Sequence, residues 1–252
     1  MIMKKKIVTS WNSSDKENIL RKNFLKLFKN TPIPDDELLR NLYMYIKRQD
    51  LSSLLFFNDI YKEIVNIHGS IFEFGVRWGR NLALLSSLRG IYEPFNHTRN
   101  IVGFDTFEGL SSIDNKDGKH DIAKKGSLSV TENYEDYLNE VLKYHEEESP
   151  ISHIKKFEII KGDVTKTLDK YLKENSHTMI AMAYFDMDLY RPTKICLEKI
   201  RKRLCKGSII GFDELASKKF PGETLALIDT LGLKDYSVQR TSYSAFQSYI
   251  KI

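Results

Sequence analysis

The 252-residue chain has only two cysteines, Cys196 and Cys205, and neither belongs to a pair with metal-ligand spacing. That argues against a disulfide scaffold and for free thiols in a reducing cytosol, so a cytoplasmic protein is expected. No apolar run approaches the roughly 20 residues of a membrane helix. The basic start "MIMKKKIVTSWNSS" lacks the apolar stretch of a signal peptide. No internal repeat or long linker divides the chain, which suits one domain over residues 1–252. There is no basic patch interleaved with aromatics to suggest nucleic acid, and no P-loop lysine to suggest ATP. The net charge of +5 is mild; it suits an anionic substrate or a merely solvated surface. The basic cluster "KIRKRLCK" at 199–206 has helical spacing around Ile200 and Leu204 and reads as a solvated helix face.

What the chain does have is a core, with 41% hydrophobic residues, and a change of texture near residue 68. Before that point it reads as helix. "DDELLRNLYMYIKRQ" (35–49) begins after two prolines with acids in its first turn, and "LLFFNDIYKEIVNIHG" (54–69) stops at Gly69. Afterwards strands and helices alternate. The strands are "SIFEFG", "NIVGFDTF", "FEIIKGDV", "TMIAMAYFDMD" and "SIIGFDE". The helices fall at 80–92, at 131–148 with Thr131 as N-cap, at 165–175, at 193–207 closed by Gly207, and at 222–233. A polar stretch, 111–130, reads as a loop or lid, and the alternating end from residue 236 suits a final antiparallel pair. This order implies a doubly wound, mostly parallel α/β sheet covered on both faces.

Ligands of such sheets bind at the carboxyl ends of the strands. Glu73, Asp105, Asp163, Asp186, Asp188, Asp213 and Glu214 all fall at such ends. In "FEFGVRWGR" a strand, a glycine turn and a helix let backbone approach a ligand, although the middle glycine of the dinucleotide fingerprint is missing. Asp105, at the next strand end, is placed to accept ribose hydroxyls, and Asp163 to meet an adenine amino group. Asp186, Asp188 and the "FDE" pair could meet across adjacent strands, which lie about 4.8 Å apart. Carboxylates converging on one point suit a hard cation such as Mg²⁺. Salt bridges from Asp186 and Asp188 to Arg191 or Lys194 are the plainer alternative.

Taken in order and spacing, "FEFGVRWGR", "GFDTFEGL", "KGDVTKTL", "FDMDLYRPT" and "GSIIGFDEL" resemble the macrocin O-methyltransferase family over about residues 65–230. The resemblance implies a class I, Rossmann-like, seven-stranded S-adenosylmethionine-dependent sugar O-methyltransferase with a helical cap or interface region over 1–68. It implies cofactor contacts from Glu73, Gly75, Val76, Arg77 and Gly79 in the glycine turn, from Asp105, Thr106 and Phe107, and from Asp163 and Val164. It makes Asp186, Asp213 and Glu214 ligands of Mg²⁺ or a similar cation, and Asp188 the general base. Glu214 stands where that family usually has a second Asp, and Arg77-Trp78-Gly79-Arg80 replaces an aromatic, a basic residue and two glycines. A sugar or nucleotide-sugar acceptor and a homo-oligomer are likewise implied, without nucleic acid or membrane. Two rival readings are a D-x-D glycosyltransferase using a nucleotide-sugar and a non-catalytic binding protein on the same fold.

Overall fold

A computed structural model describes residues 13–244 and 246–252. The leader reading of 1–12 and the part of the terminal pair at Ala245 lie outside the described residues. The described residues form seven strands: β1 (Ser70–Phe74), β2 (Ile101–Asp105), β3 (Phe157–Lys161), β4 (Ile180–Phe185), β5 (Leu204–Phe212), β6 (Gln239–Arg240) and β7 (Ser248–Lys251). They lie in one sheet in the order β3-β2-β1-β4-β5-β7-β6. β3, β2, β1, β4 and β5 pair in parallel, and β7 pairs antiparallel with both β5 and β6. This is the class I methyltransferase arrangement.

The helices are α1 (Asp15–Lys29), α2 (Asp35–Leu38), α3 (Arg48–Ile64), α4 (Arg80–Tyr92), α5 (Tyr134–Glu148), α6 (Val164–Glu174), α7 (Tyr190–Ile200) and α8 (Gly222–Thr230). Period-2 alternation sends Ile71 of β1 to a core with Phe57 and Ile64 of α3, Leu85 of α4 and Leu142 of α5. Phe72 and Phe74 go to the opposite core, with Leu168 of α6, Leu197 of α7 and Leu227 of α8. The same alternation carries Glu73 to the α4 side, fully buried.

Three helix readings are corrected. The 35–49 segment is not continuous: α2 is one turn, a 3₁₀ turn follows at Leu42–Tyr45, and α3 starts at Arg48. Leu39, Tyr43 and Met44 of this stretch are exposed, so no buried apolar stripe sustains a longer helix. The 193–207 helix ends at Ile200, and Gly207 is inside β5 rather than at a helix cap. Sheet pairing wins there: Leu204 sits opposite Ile180, and the Gly207 N–H donates to Ile252 O. The cap position of α5 is Asn133, not Thr131.

Candidate active site

The chain order places β1 between β2 and β4, so the sheet's topological switch point lies at the C-terminal ends of β1 and β4. A cleft of about 370 Å³ opens there. Asp105, Asp163, Asp186, Asp188, Asp213 and Glu214 all line it. Glu73 does not: it sits beneath the turn, with Oε1 accepting the Asn81 side-chain N–H at 2.8 Å. Its Oε2 has no partner, and burial pushes the carboxyl up to about 8.

Asp105 ties two loops together. Its Oδ2 accepts the Arg77 backbone N–H at 2.7 Å, and its Oδ1 accepts the Phe107 backbone N–H at 2.5 Å. Burial pushes this carboxyl up, while the N–H groups of Arg77, Phe107 and Val76 favour its charged form. Arg77 (φ 50°) and Phe107 (φ 56°) both hold left-handed backbone, which non-glycine residues rarely adopt. Thr106 donates its hydroxyl to Gly109 O at 2.8 Å, closing the β2 loop. Asp163 caps α6, accepting the N–H and hydroxyl of Thr165, and Val164 opens that helix. Gly75, Val76 and Arg77 complete the cleft wall on the β1 side, while Gly79 packs its backbone on Leu138.

The second acidic group follows from strand register. Phe185 of β4 pairs with Phe212 of β5, and the ladder runs one residue further, with the Asp213 N–H donating to Phe185 O at 2.9 Å. On the other side the Asp186 N–H donates to Phe74 O at 2.8 Å. Asp186 and Asp213 therefore leave the sheet side by side. Burial, then the charges of Asp213, Asp188 and Glu223, push Asp186 well above the usual carboxylate range. Asp188 is buried in left-handed backbone (φ 62°). Its carboxylate is hydrogen-bonded to Glu214, and the bond favours the charged form of Asp188 and the protonated form of Glu214. Burial raises both carboxyls, and Glu214 is raised further by the Asp188 and Asp213 charges. Burial works against the Arg80 guanidinium, but Asp186 and Asp213 hold its pKa up. The alternative pairing of the acids is not seen: Lys194 pairs with Glu198 instead.

Sequence reasoning missed three residues. Glu223, in the first turn of α8, is buried, and its Oε1 accepts the N–H groups of Met187 and Asp188 at 2.9 and 3.1 Å. Tyr184 donates its hydroxyl to Asp213 Oδ1 at 3.0 Å and accepts from Gln247 Nε2 at 3.1 Å. Glu223 reads in sequence as an ordinary first-turn helix acid, and Tyr184 and Gln247 as strand-alternation residues. Among the described residues no three or more His, Cys, Asp or Glu side chains are assembled as a metal-ligand set. Asp213 accepts from the Tyr184 hydroxyl, and Glu214 is hydrogen-bonded to Asp188.

Comparison with solved structures decides the class. The chain is 40% identical to a structure of CalS11, a calicheamicin methyltransferase, covering 96% of this chain and 94% of that one, with a TM-score of 0.93. It belongs to the CalS11 family of sugar O-methyltransferases. An apo structure of CalS11, described as a TDP-rhamnose 3'-O-methyltransferase of calicheamicin biosynthesis, is 39% identical over 97% of this chain and 96% of that one, TM-score 0.84. Membership of the CalS11 family makes the chain an S-adenosylmethionine-dependent O-methyltransferase and sets aside the glycosyltransferase and non-catalytic readings. The O-methyltransferase NovP, 16% identical over 80% of this chain and 79% of that one, shares the fold at a TM-score of 0.60. No protein-family model and no curated protein matches the chain.

Proposed function

We propose that this enzyme methylates a sugar hydroxyl on a nucleotide-linked acceptor, with a metal-assisted division of labour among its acids as in the macrocin-type enzymes. The observation that carries the reading is the meeting, in one switch-point cleft, of the β1–β3 loops with the buried acids of β4 and β5. The acceptor class follows from the CalS11 relative, described as acting on TDP-rhamnose.

In this reading the cofactor's methionine part lies along Gly75, Val76, Arg77 and Gly79, supported from below by Glu73. The ribose meets Asp105, Thr106 and Phe107, and the adenine meets Asp163 and Val164. Asp186, Asp213 and Glu214 would hold Mg²⁺ or a similar divalent cation. Their chemistry fits it: hard oxygen donors, all three raised by burial and Asp186 and Glu214 raised further by neighbouring carboxylates, with Glu214 Oε1 buried and unpartnered. When bound, S-adenosylmethionine supplies an electrophilic methyl group, and the cation supplies a Lewis acid that makes a sugar hydroxyl more acidic. Asp188 takes the hydroxyl proton, and burial has already moved its carboxyl toward neutral pH, where a base works best. Glu223 and Asp105 fix the loops that carry these groups, so the reacting atoms are held in line.

Residues 1–252 then act as one methyltransferase domain in the cytoplasm, with small-molecule substrates and no nucleic-acid or membrane partner. No helix among the described residues is long and apolar enough to cross a membrane. Homo-oligomerisation through the 1–68 region is part of the same reading and rests on the family resemblance. The test is incubation with S-adenosylmethionine and TDP-rhamnose, with Mg²⁺ or with EDTA. A methylated sugar nucleotide is expected with Mg²⁺ and not with EDTA. Transfer to simple sugars but never to nucleotide sugars contradicts the acceptor class, and transfer indifferent to EDTA contradicts the metal role.

A further inference from the structure

The β1–α4 turn carries a cation whose hydrogen bonds the fold leaves unmade. Arg77 Nε and Nη2 are both buried, and neither has a hydrogen-bond partner. The residue is not loosely held. Its backbone N–H is fixed to Asp105 at 2.7 Å, and its φ of 50° keeps the backbone in one uncommon conformation. Arg77 lines the cleft between the cofactor turn and the acids Asp186 and Asp188.

The identity of the two free atoms matters. Nε and Nη2 form one edge of the planar guanidinium, the edge that grips a carboxylate or phosphate through two parallel N–H···O bonds. A buried charged donor with nothing to donate to is costly, so this edge calls for an acceptor. The nearby acids do not provide one. Asp188 is bonded to Glu214, and Asp105 takes the Arg77 backbone rather than its side chain. Asp186 and Asp188 act on Arg77 through charge, without hydrogen-bonding either free atom. Those same acids would repel any anionic ligand entering the cleft, and Arg77 is the group placed to offset that repulsion.

We infer that the Nε/Nη2 edge of Arg77 receives an oxyanion of a bound ligand, as a bidentate pair. The inference rests on reading the cleft as a cofactor-and-acceptor site. Two oxyanions come with that reading: the carboxylate at the methionine end of the cofactor, and the diphosphate of a nucleotide-linked acceptor.

The test is calorimetric titration of wild type, Arg77→Gln and Arg77→Lys with three probes. S-adenosylhomocysteine carries the carboxylate, 5'-methylthioadenosine lacks it, and TDP carries the diphosphate. Arg77→Gln is expected to weaken S-adenosylhomocysteine by about tenfold or more and to leave 5'-methylthioadenosine unchanged. Arg77→Lys, which keeps the charge and loses the fork, falls between. Loss confined to TDP upholds the inference with the acceptor as the source. Equal binding of all three probes by wild type and Arg77→Gln overturns it. So does equal weakening of S-adenosylhomocysteine and 5'-methylthioadenosine, because the effect is then not on an anion. A wild type that binds no S-adenosylhomocysteine contradicts the cofactor placement, and Arg77 is then judged on TDP alone, where no binding also overturns it. Melting curves confirm folding, and Arg77→Lys carries the comparison if Arg77→Gln is unstable.

Discussion

Gly75 and Asp186 meet through backbone: a Cβ built on Gly75 would lie 1.9 Å from the Asp186 carbonyl oxygen. The β1–α4 turn and the acidic loop after β4 are therefore seated on each other, and only glycine leaves room. Its φ of 93° also disfavours any side chain. Gly75→Ala is expected to destabilise the protein by at least about 2 kcal/mol and to weaken S-adenosylhomocysteine binding together with activity. Denaturant melts and titration read both. A stable variant with normal affinity contradicts the close seating.

Glu223 is expected to matter through the two backbone N–H groups it accepts, those of Met187 and Asp188. Glu223→Ala orphans both, at about 1–3 kcal/mol for each buried group, and releases the left-handed turn at Asp188. Loss should fall on kcat, by about tenfold or more, with cofactor affinity kept and amide exchange at 187–188 accelerated. Glu223→Gln retains an acceptor oxygen and should recover most of the rate. Equal damage in both variants shows that something other than these hydrogen bonds is needed.

Glu73 links the site to pH. Its folded-state pKa is raised to about 8 from 4.5, so the folded protein binds this proton more tightly than the unfolded chain. The resulting stability is fully present below the unfolded value and is lost as pH rises toward 8. In that window wild type should lose up to about 1.4 kcal/mol per pH unit relative to Glu73→Gln. Melting temperatures of the pair across pH 5–9 read this, and parallel curves contradict it.

The 111–130 segment is expected to act as a lid over the cleft. It lines the cleft at Ser111 and Leu128, and it is tied to α7 through Asp117, fully buried, whose Oδ1 accepts the Tyr190 N–H at 2.5 Å, and to α8 through the Lys116–Asp229 ion pair. Amide exchange across 111–130 should slow when S-adenosylhomocysteine and TDP bind together, and Asp117→Ala should abolish that slowing. Equal exchange with and without ligands contradicts lid closure.

Much of this arrangement was legible in the sequence because strand-end acids and parallel-sheet alternation are local patterns. "FDMD" and "FDE" end β4 and β5, and in-register pairing then brings Asp186 beside Asp213. Glu73 was misjudged as a rim residue because alternation within "SIFEF" decides its side of the sheet, and it points under α4. Glu223 was missed because its role depends on where α8 docks. The break in the 193–207 segment came from long-range pairing of Leu204 and Gly207, which outweighs a helical run of basic residues.

The most direct test compares Asp186→Asn with Asp188→Asn in methyl transfer from S-adenosylmethionine to TDP-rhamnose while Mg²⁺ is varied. With Asp186 as the proposed metal ligand, the rate of Asp186→Asn should recover in part at high Mg²⁺. With Asp188 as the proposed base, the kcat of Asp188→Asn should stay low at every Mg²⁺ concentration, while S-adenosylmethionine binding should remain intact in both. Recovery of Asp188→Asn to the same extent as Asp186→Asn contradicts the division of labour between the two aspartates.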